Sequence, residues 1–243
     1  GARSGDYDGA ATLAPKMAFK GHEDTVEDVS FHPSAHLQLC SVGDDSALIF
    51  WDGRKGSSPA HKVKEAHSND LHTVDWSLLD EYMVVTGSAD QTLRLWDRRK
   101  LGSTGAACVV HTFTLHDEPI TTVQWCPDQK GVFASGSEDG YLNIWDITKI
   151  GAPQTPEQKK AGLPELMFQH AGHRSTVGDF HWNPADPWTI ASVSSGDGGN
   201  TLQLWRVSDL IYRPEEEALA ELEKHKNAIC GVTAAAAAAA GGG

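Results

Sequence analysis

Short runs in which apolar and polar residues alternate recur along most of the chain, the period-two signature of half-buried strands. Innermost strands are expected at 26–32, 71–76, 120–125 and 177–182, second strands at 37–42, 82–86, 132–135 and 189–193, and third strands at 48–51, 93–96, 142–145 and 202–205. Gly- and Asp-rich clusters between them supply tight turns. A fourth, outer strand is expected after the first three groups, near 60–64, 109–114 and 166–169. The pattern changes only near the end. Pro214 opens a helical stretch with Glu215, Glu216 and Glu217 in its first turn and Lys224, His225 and Lys226 in its last, an order that complements a helix dipole. Leu219 and Leu222 give this helix a short apolar stripe, expected to pack on the strands.

The groups are copies of one unit. Ser41-Val42-Gly43-Asp44-Asp45 runs to Trp51-Asp52, Thr86-Gly87-Ser88-Ala89-Asp90 to Trp96-Asp97, and Ser135-Gly136-Ser137-Glu138-Asp139 to Trp145-Asp146. A looser copy runs from Ser192 to Trp205. Each has a histidine upstream, His22, His67, His116 and His173, at 29, 29, 29 and 32 residues from its tryptophan. Four-stranded sheets repeated every 45 to 60 residues are the blades of a β-propeller. With Gly21-His22, Gly172-His173 and three Trp-Asp pairs, residues 16–206 resemble the WD-repeat family.

That resemblance implies a role for the recurring polar residues. His22, Ser41, Asp45 and Trp51 form one set; His67, Thr86, Asp90 and Trp96 a second; His116, Ser135, Asp139 and Trp145 a third; and His173, Ser192 and Trp205 an incomplete fourth, with Asp197 as its candidate carboxylate. In the family such a set is a hydrogen-bond chain inside a blade, in which Asp orients His, His meets a hydroxyl, and the hydroxyl meets the indole N–H. Ser-His-Asp nucleophilic catalysis uses the same residue types, but an active site occurs once, whereas this set recurs in every unit. With no metal-ligand cluster or phosphate loop in the sequence either, the chain is expected to be non-catalytic and to need no cofactor.

Composition narrows the partners. The formal net charge of −13 disfavours direct nucleic-acid binding, which needs a basic footprint, and an acidic field attracts basic partners as well as keeping a protein soluble. No apolar run approaches membrane-spanning length, and no charged, apolar leader opens the chain, which begins with Gly rather than Met, as a processed or truncated start would. Cys40, Cys108, Cys126 and Cys230 show no CxxC spacing, so free thiols in a reducing compartment are expected, with Cys40 and Cys126 in the core.

A narrower resemblance rests on longer stretches. These are Val26-Glu27-Asp28-Val29, Gly87-Ser88-Ala89-Asp90, Leu142-Asn143-Ile144-Trp145-Asp146, and Pro164-Glu165-Leu166-Met167-Phe168 running into His170-Ala171-Gly172-His173. Asp179-Phe180, Trp182-Asn183-Pro184 and Asp186-Pro187-Trp188 follow, and the run from Ser208 to Glu217 is most similar to the plant FVE-type branch. Together they resemble the retinoblastoma-binding, MSI-type histone-binding proteins. The resemblance implies a nuclear adaptor that presents histones to deacetylase, nucleosome-assembly and Polycomb-type complexes. By that resemblance a basic histone tail is received at Glu27, Asp44, Asp70, His72, Glu118 and Thr121, although the family often has Asn where His72 stands and an aromatic where Thr121 stands. A second family site, for a histone helix, uses a long N-terminal helix and an acidic insertion. The insertion at 153–164 carries Lys159 and Lys160 instead, so that site is expected to be lost or weakened. Trp51-Asp52-Gly53-Arg54 and Trp96-Asp97-Arg98-Arg99 match the Trp-Asp-x-Arg motif with which some WD proteins dock on the adaptor of cullin-4 ubiquitin ligases, giving Arg54 and Arg99 an alternative role.

The expected organisation is a lead-in at 1–15, blade units at 16–65, 66–114, 115–170 and 171–206, a C-terminal helix at 207–230, and a low-complexity tail at 231–243. Residues 17–20 are expected to be the outer strand of a blade otherwise absent. The expected fold is a partial, all-β propeller of about four blades out of seven with a C-terminal helix, the C-terminal portion of a larger propeller.

Overall fold

The computed structural model describes residues 15–101 and 109–229; Cys108, Cys230, the tail at 231–243 and nearly all of the lead-in lie outside them. Four antiparallel sheets follow one another along the chain. The first contains β1 (Val26–Phe31), β2 (Gln38–Gly43), β3 (Leu48–Asp52) and β4 (His61–Val63), hydrogen-bonded in that order. The second contains β5 (Leu71–Trp76), β6 (Met83–Ser88), β7 (Leu93–Asp97) and β8 (Val109–Phe113). The third contains β9 (Ile120–Trp125), β10 (Val132–Ser137), β11 (Leu142–Asp146) and β12 (Leu166–His170). The fourth has three strands, β13 (Val177–Trp182), β14 (Thr189–Ser194) and β15 (Thr201–Arg206). This is a partial propeller.

Because side chains alternate between the two faces of a strand, each sheet has one face for each neighbour. Cys40, Val42, Leu48 and Phe50 of the first sheet share a buried cluster with Val74, Trp76, Val84 and Trp96 of the second. Val85, Leu93 and Leu95 of the second meet Val123, Trp125, Phe133 and Trp145 of the third. Ala134, Leu142 and Ile144 of the third meet Phe180, Trp182 and Ile190 of the fourth. Gly87 and Gly136 are small because the next sheet's first inner residue lies against them: a Cβ there would come within 2.5 Å of Ile120 Cγ2 and 2.8 Å of Val177 Cγ1 respectively.

The innermost strands are sheet edges, and their free N–H groups need partners. Side chains of the preceding sheet supply them. Asp28 accepts from the Val74 N–H at 2.8 Å and from the Thr73 hydroxyl at 3.1 Å, and the Thr73 hydroxyl in turn accepts from the Val123 N–H at 3.2 Å. Ser30 accepts from the Trp76 N–H, Asp75 from the Trp125 N–H, and Gln124 from the Trp182 N–H, at 3.1, 2.7 and 3.1 Å. The fifth residue of each of the first three inner strands, and the third residue of the first two, thus latch the strand to the next blade.

Four expectations need correction. Residues 17–20 form no strand, since no neighbouring strand among the described residues offers them a ladder. The insertion contains a helix, α1 (Pro156–Ala161), nucleated by a capping box in which Thr155 and Gln158 satisfy each other's backbone N–H groups, with Pro156 at the first helical position. The C-terminal region forms two helices, α2 (Asp209–Tyr212) and α3 (Glu215–Ile229), because Pro214 lacks the N–H needed to continue the first. Leu219 and Leu222 are exposed; among the described α3 side chains, Ala218 is the one that is buried. The anchor of this region is Tyr212, stacked flat on Trp188 at 4.4 Å. Trp188 holds a left-handed backbone, φ 67°, which a tryptophan adopts only when its surroundings enforce it.

Candidate peptide-binding end of the propeller channel

The recurring polar sets come together inside each blade. In the second sheet the Trp96 indole N–H donates to the Thr86 hydroxyl at 2.8 Å, and Thr86 lies 2.8 Å from His67 Nε2. The hydroxyl's lone pairs are engaged by the indole, so its single proton goes to Nε2. Nδ1 therefore carries the imidazole proton and donates it to Asp90 at 3.1 Å. The same chain of contacts joins Trp51, Ser41, His22 and Asp45, and Trp145, Ser135, His116 and Asp139. In the fourth sheet Trp205, Ser192 and His173 follow suit, but Nδ1 of His173 meets the Thr201 hydroxyl at 3.2 Å. Asp197 does not take the carboxylate's place, because the stretched turn brings Thr201 to the ring instead.

Electrostatics fit a structural chain. Burial pushes the His67 pKa down, against the attraction of Asp90, which keeps the ring neutral. Burial would raise Asp90, but hydrogen bonds from His67, Thr92 and the Ser68 backbone outweigh it and hold the carboxyl well below its usual range. Asp45 and Asp139 are lowered in the same way by His22 and His116. Each hydroxyl is sealed between two rings and has no open side for a substrate. No cluster of potential metal ligands occurs among the described residues.

A family model described as WD domain, G-beta repeat matches residues 13–52, 59–97, 107–146 and 164–206. WD-40 repeat-containing protein MSI4 of Arabidopsis thaliana is 54% identical over 229 residues, which are 92% of this chain and 45% of that protein. The chain is an MSI-type WD-repeat protein. It spans about half the length of that relative. WD-repeat proteins of this type are generally non-catalytic adaptors that act through protein–protein contacts.

On this WD-repeat scaffold, the residues expected to hold a histone tail fall into two groups. Glu27, His72 and Thr121 are the unpaired residues of a β-bulge near the start of three successive inner strands: pairing skips from Val26 to Asp28, from Leu71 to Thr73, and from Thr122 to Ile120. Gly178 holds the same place in the fourth. A bulge turns one side chain out of the sheet's alternation, a common device beside binding sites. Sequence reasoning missed this fourth position, since glycine offers no side chain to notice. Asp44, Asp70 and Glu118 lie in the loops at the same end of the blades. Asp44 N–H bonds the Thr25 carbonyl, Ala89 N–H the Asp70 carbonyl, and Glu138 N–H the Pro119 carbonyl beside Glu118.

These side chains are engaged differently. His72 Nδ1 donates to the Ile120 carbonyl at 3.0 Å, and the Thr121 hydroxyl donates to the Val177 carbonyl at 2.5 Å, so both tie one bulge to the next blade. Glu27 has no proton to donate to the corresponding carbonyl and is exposed, as is Glu118, while Asp44 and Asp70 are half-buried. This end of the channel is acidic and polar; the other is lined by Phe31, Trp76, Trp125 and Trp182 with Leu78, Pro127 and Pro184. Arg54 and Arg99 lie elsewhere, just past β3 and β7. Each folds back on the aspartate of its own Trp-Asp pair, Arg54 Nη2 to Asp52 at 2.7 Å and Arg99 Nη2 to Asp97 at 2.8 Å. These guanidinium bonds draw the Asp52 and Asp97 pKa values down.

Proposed function

We propose that this chain is a nuclear, non-catalytic adaptor that holds a basic histone tail at the bulge end of its channel and presents it to chromatin-modifying complexes such as a histone deacetylase. The observation that carries the reading is the placement of Glu27, His72 and Thr121 at equivalent bulges on adjacent inner strands, with Asp44, Asp70 and Glu118 in the loops around them. Carboxylates so placed bind Lys and Arg by charge-assisted hydrogen bonds, and the acidic net charge of −13 favours encounter with a cationic peptide. The kinship with MSI-type proteins supports the choice of a histone over other basic peptides.

The test is fluorescence polarisation with an unmodified histone-three tail peptide. The paired reversal Glu27→Lys/Asp70→Lys should weaken binding by about tenfold or more, each lost charge-assisted contact being worth ~1.5–3 kcal/mol. Raising the salt should weaken the parent as well. Equal binding by parent and variant sinks the proposal.

A second reading has its own observation. Arg54 and Arg99 are presented alike on neighbouring blades, more than half exposed and fixed in direction by bidentate pairing with Asp52 and Asp97. This supports docking to a cullin-4 ligase adaptor. Co-purification of that adaptor should be lost on Arg54→Ala and Arg99→Ala; its persistence removes the reading.

A further inference from the structure

The chain contains two hydroxyl-proline dipeptides, Ser58-Pro59 and Thr155-Pro156. A kinase can read the proline, because it brings no N–H, and a substrate cleft without an acceptor strands the N–H of any other residue. Ser58 and Thr155 are both exposed, but their surroundings differ. Around Ser58 the chain is fastened to the first blade. The Ser57 carbonyl accepts from the Lys20 N–H at 3.4 Å, and the Ala60 N–H donates to the Phe50 carbonyl at 2.8 Å. Pro59 lies against Gly21, where a Cβ would come within 2.7 Å of the proline Cγ. A segment pinned on both sides cannot be drawn into an enzyme's cleft without loosening the β3–β4 ladder.

Thr155 stands above a closed base. The Asp146 N–H donates to the Glu165 carbonyl at 2.8 Å, and the buried Glu165 side chain meets His111 Nε2 at 3.1 Å, so both ends of the insertion are joined to the sheets. Among the described residues, the hydrogen bonds of 154–162 stay within that stretch. Gln154 Nε2 donates to the Gly162 carbonyl, the Lys159 N–H to the Thr155 carbonyl, and the Gly162 N–H to the Gln158 carbonyl, while Thr155 and Gln158 bond each other reciprocally. Residues 155–160 are all exposed. Thr155 is extended, φ −68° and ψ 163°, as a residue in a kinase's substrate strand must be. The six residues of α1 beyond it are too few to make a stable helix by themselves. Opening this stretch breaks its own bonds and leaves the blade whole.

Charge singles out the same residue. The chain from 147 to 164 carries Lys149, Lys159 and Lys160 against Glu157, a basic stretch in a protein of net charge −13. Lys159 lies one helical turn beyond Thr155, its N–H 3.0 Å from the Thr155 carbonyl, where side chains four apart are neighbours. We infer that Thr155 is a phosphorylation site for a proline-directed protein kinase, and that its phosphate pairs with Lys159. In the transfer, Thr155 Oγ1 attacks the γ-phosphorus of ATP. The Oγ1–P bond forms as the bond from that phosphorus to the bridging oxygen breaks, ADP leaves, and the hydroxyl proton passes to the kinase's base. The new group carries about two negative charges at neutral pH, enough to cancel the positive excess of the insertion. This inference concerns the insertion and does not depend on the tail-binding site.

The test incubates the folded 243-residue chain with a mitogen-activated and a cyclin-dependent protein kinase, each supplied with magnesium and ATP and checked on a peptide substrate, and maps the product by tandem mass spectrometry. One phosphoryl group should appear on Thr155, about tenfold or more faster than on Ser58, because opening the insertion costs less than opening the first blade. Ser58→Ala should be labelled like the parent, Thr155→Ala should lose the label, and Thr155→Ser should regain it. Pairing is read from phosphorus NMR of the modified chain. Its phosphate should take up its second proton about 0.3 pH units lower than in modified Lys159→Ala, the shift expected of an exposed ion pair. No label on Thr155 from either kinase, labelling of Ser58 at an equal or higher rate, or undiminished label in Thr155→Ala overturns the site. Identical phosphorus titrations in the parent and Lys159→Ala overturn the pairing.

Discussion

A hydroxyl held between an indole and an imidazole decides the protonation of everything around it, and this makes single residues in the blades costly to change. Thr86→Val keeps the shape and removes the hydroxyl, stranding the Trp96 N–H and His67 Nε2 in the core. We expect ~2–4 kcal/mol of destabilisation in urea unfolding, from two buried groups left unpaired; a loss below about 1 kcal/mol would show that these groups find other partners. Asp75 makes the opposite case. Burial pushes its carboxyl up to about 6 despite bonds from the Trp125 N–H and Ser30. From about pH 4, where the unfolded carboxyl ionises, up to about pH 6, the folded chain keeps a proton that the unfolded chain has released. This contribution to stability is therefore whole below that window, falls as pH rises through it, and is gone above. Asp75→Asn should accordingly gain stability relative to the parent, by on the order of 2 kcal/mol, between pH 5 and pH 8 in paired melts. Asp45, Asp90 and Asp139, with lowered values, add stability at neutral pH that is lost as pH falls below the ordinary aspartate range. The sequence showed these sets because histidine, hydroxyl and tryptophan recur at fixed spacing. It could not show that Thr201 replaces a carboxylate beside His173, since that depends on where a glycine-rich turn carries the chain.

Strands were the legible elements. Period-two alternation located β5, β9 and β13 to the residue, because turn residues bound each run and one face must be buried. Helix α1 escaped that reading although Thr155-Pro156-Glu157-Gln158 carries its capping signal, because a helix this short has no apolar face to reveal it. Residues 17–20 have a strand's pattern without a strand's partner, and pairing rather than propensity decides the outcome. At this scale the inner-strand latches make the clearest prediction. Asp28→Ala removes the acceptor for Val74 N–H and the Thr73 hydroxyl, and should cost ~1–3 kcal/mol in thermal unfolding. Full stability in the variant would mean that water serves these groups equally well. Thr155→Ala should loosen only the insertion, by ~0.5–2 kcal/mol, read as faster proteolysis near Lys159 and Lys160 at an unchanged melting temperature.

Across the whole molecule, the fold class followed from counting, since four units, three of them with a common His-to-Trp spacing, leave few architectures open. The candidate binding end was legible only through resemblance. Composition names a negative charge but not where it gathers, and the bulges that turn Glu27, His72 and Thr121 out of the sheet arise from a mismatch between paired strands that neither strand shows alone. The acidic bulge end and the aromatic opposite end face different chemistries, so charge reversal at Glu27 should leave unfolding within about 0.5 kcal/mol of the parent while weakening salt-sensitive peptide binding. Parallel denaturation and binding curves separate the two effects.

The latches pass from each inner strand only to the next, Asp28 to Val74, Thr73 to Val123, Gln124 to Trp182. Such a row behaves like a line of dominoes leaning in one direction: each leaf is braced by its predecessor, and nothing spans two gaps. Amide protons in the two middle leaves should then outlast those in the outer two in deuterium, with protection decaying outward from the centre.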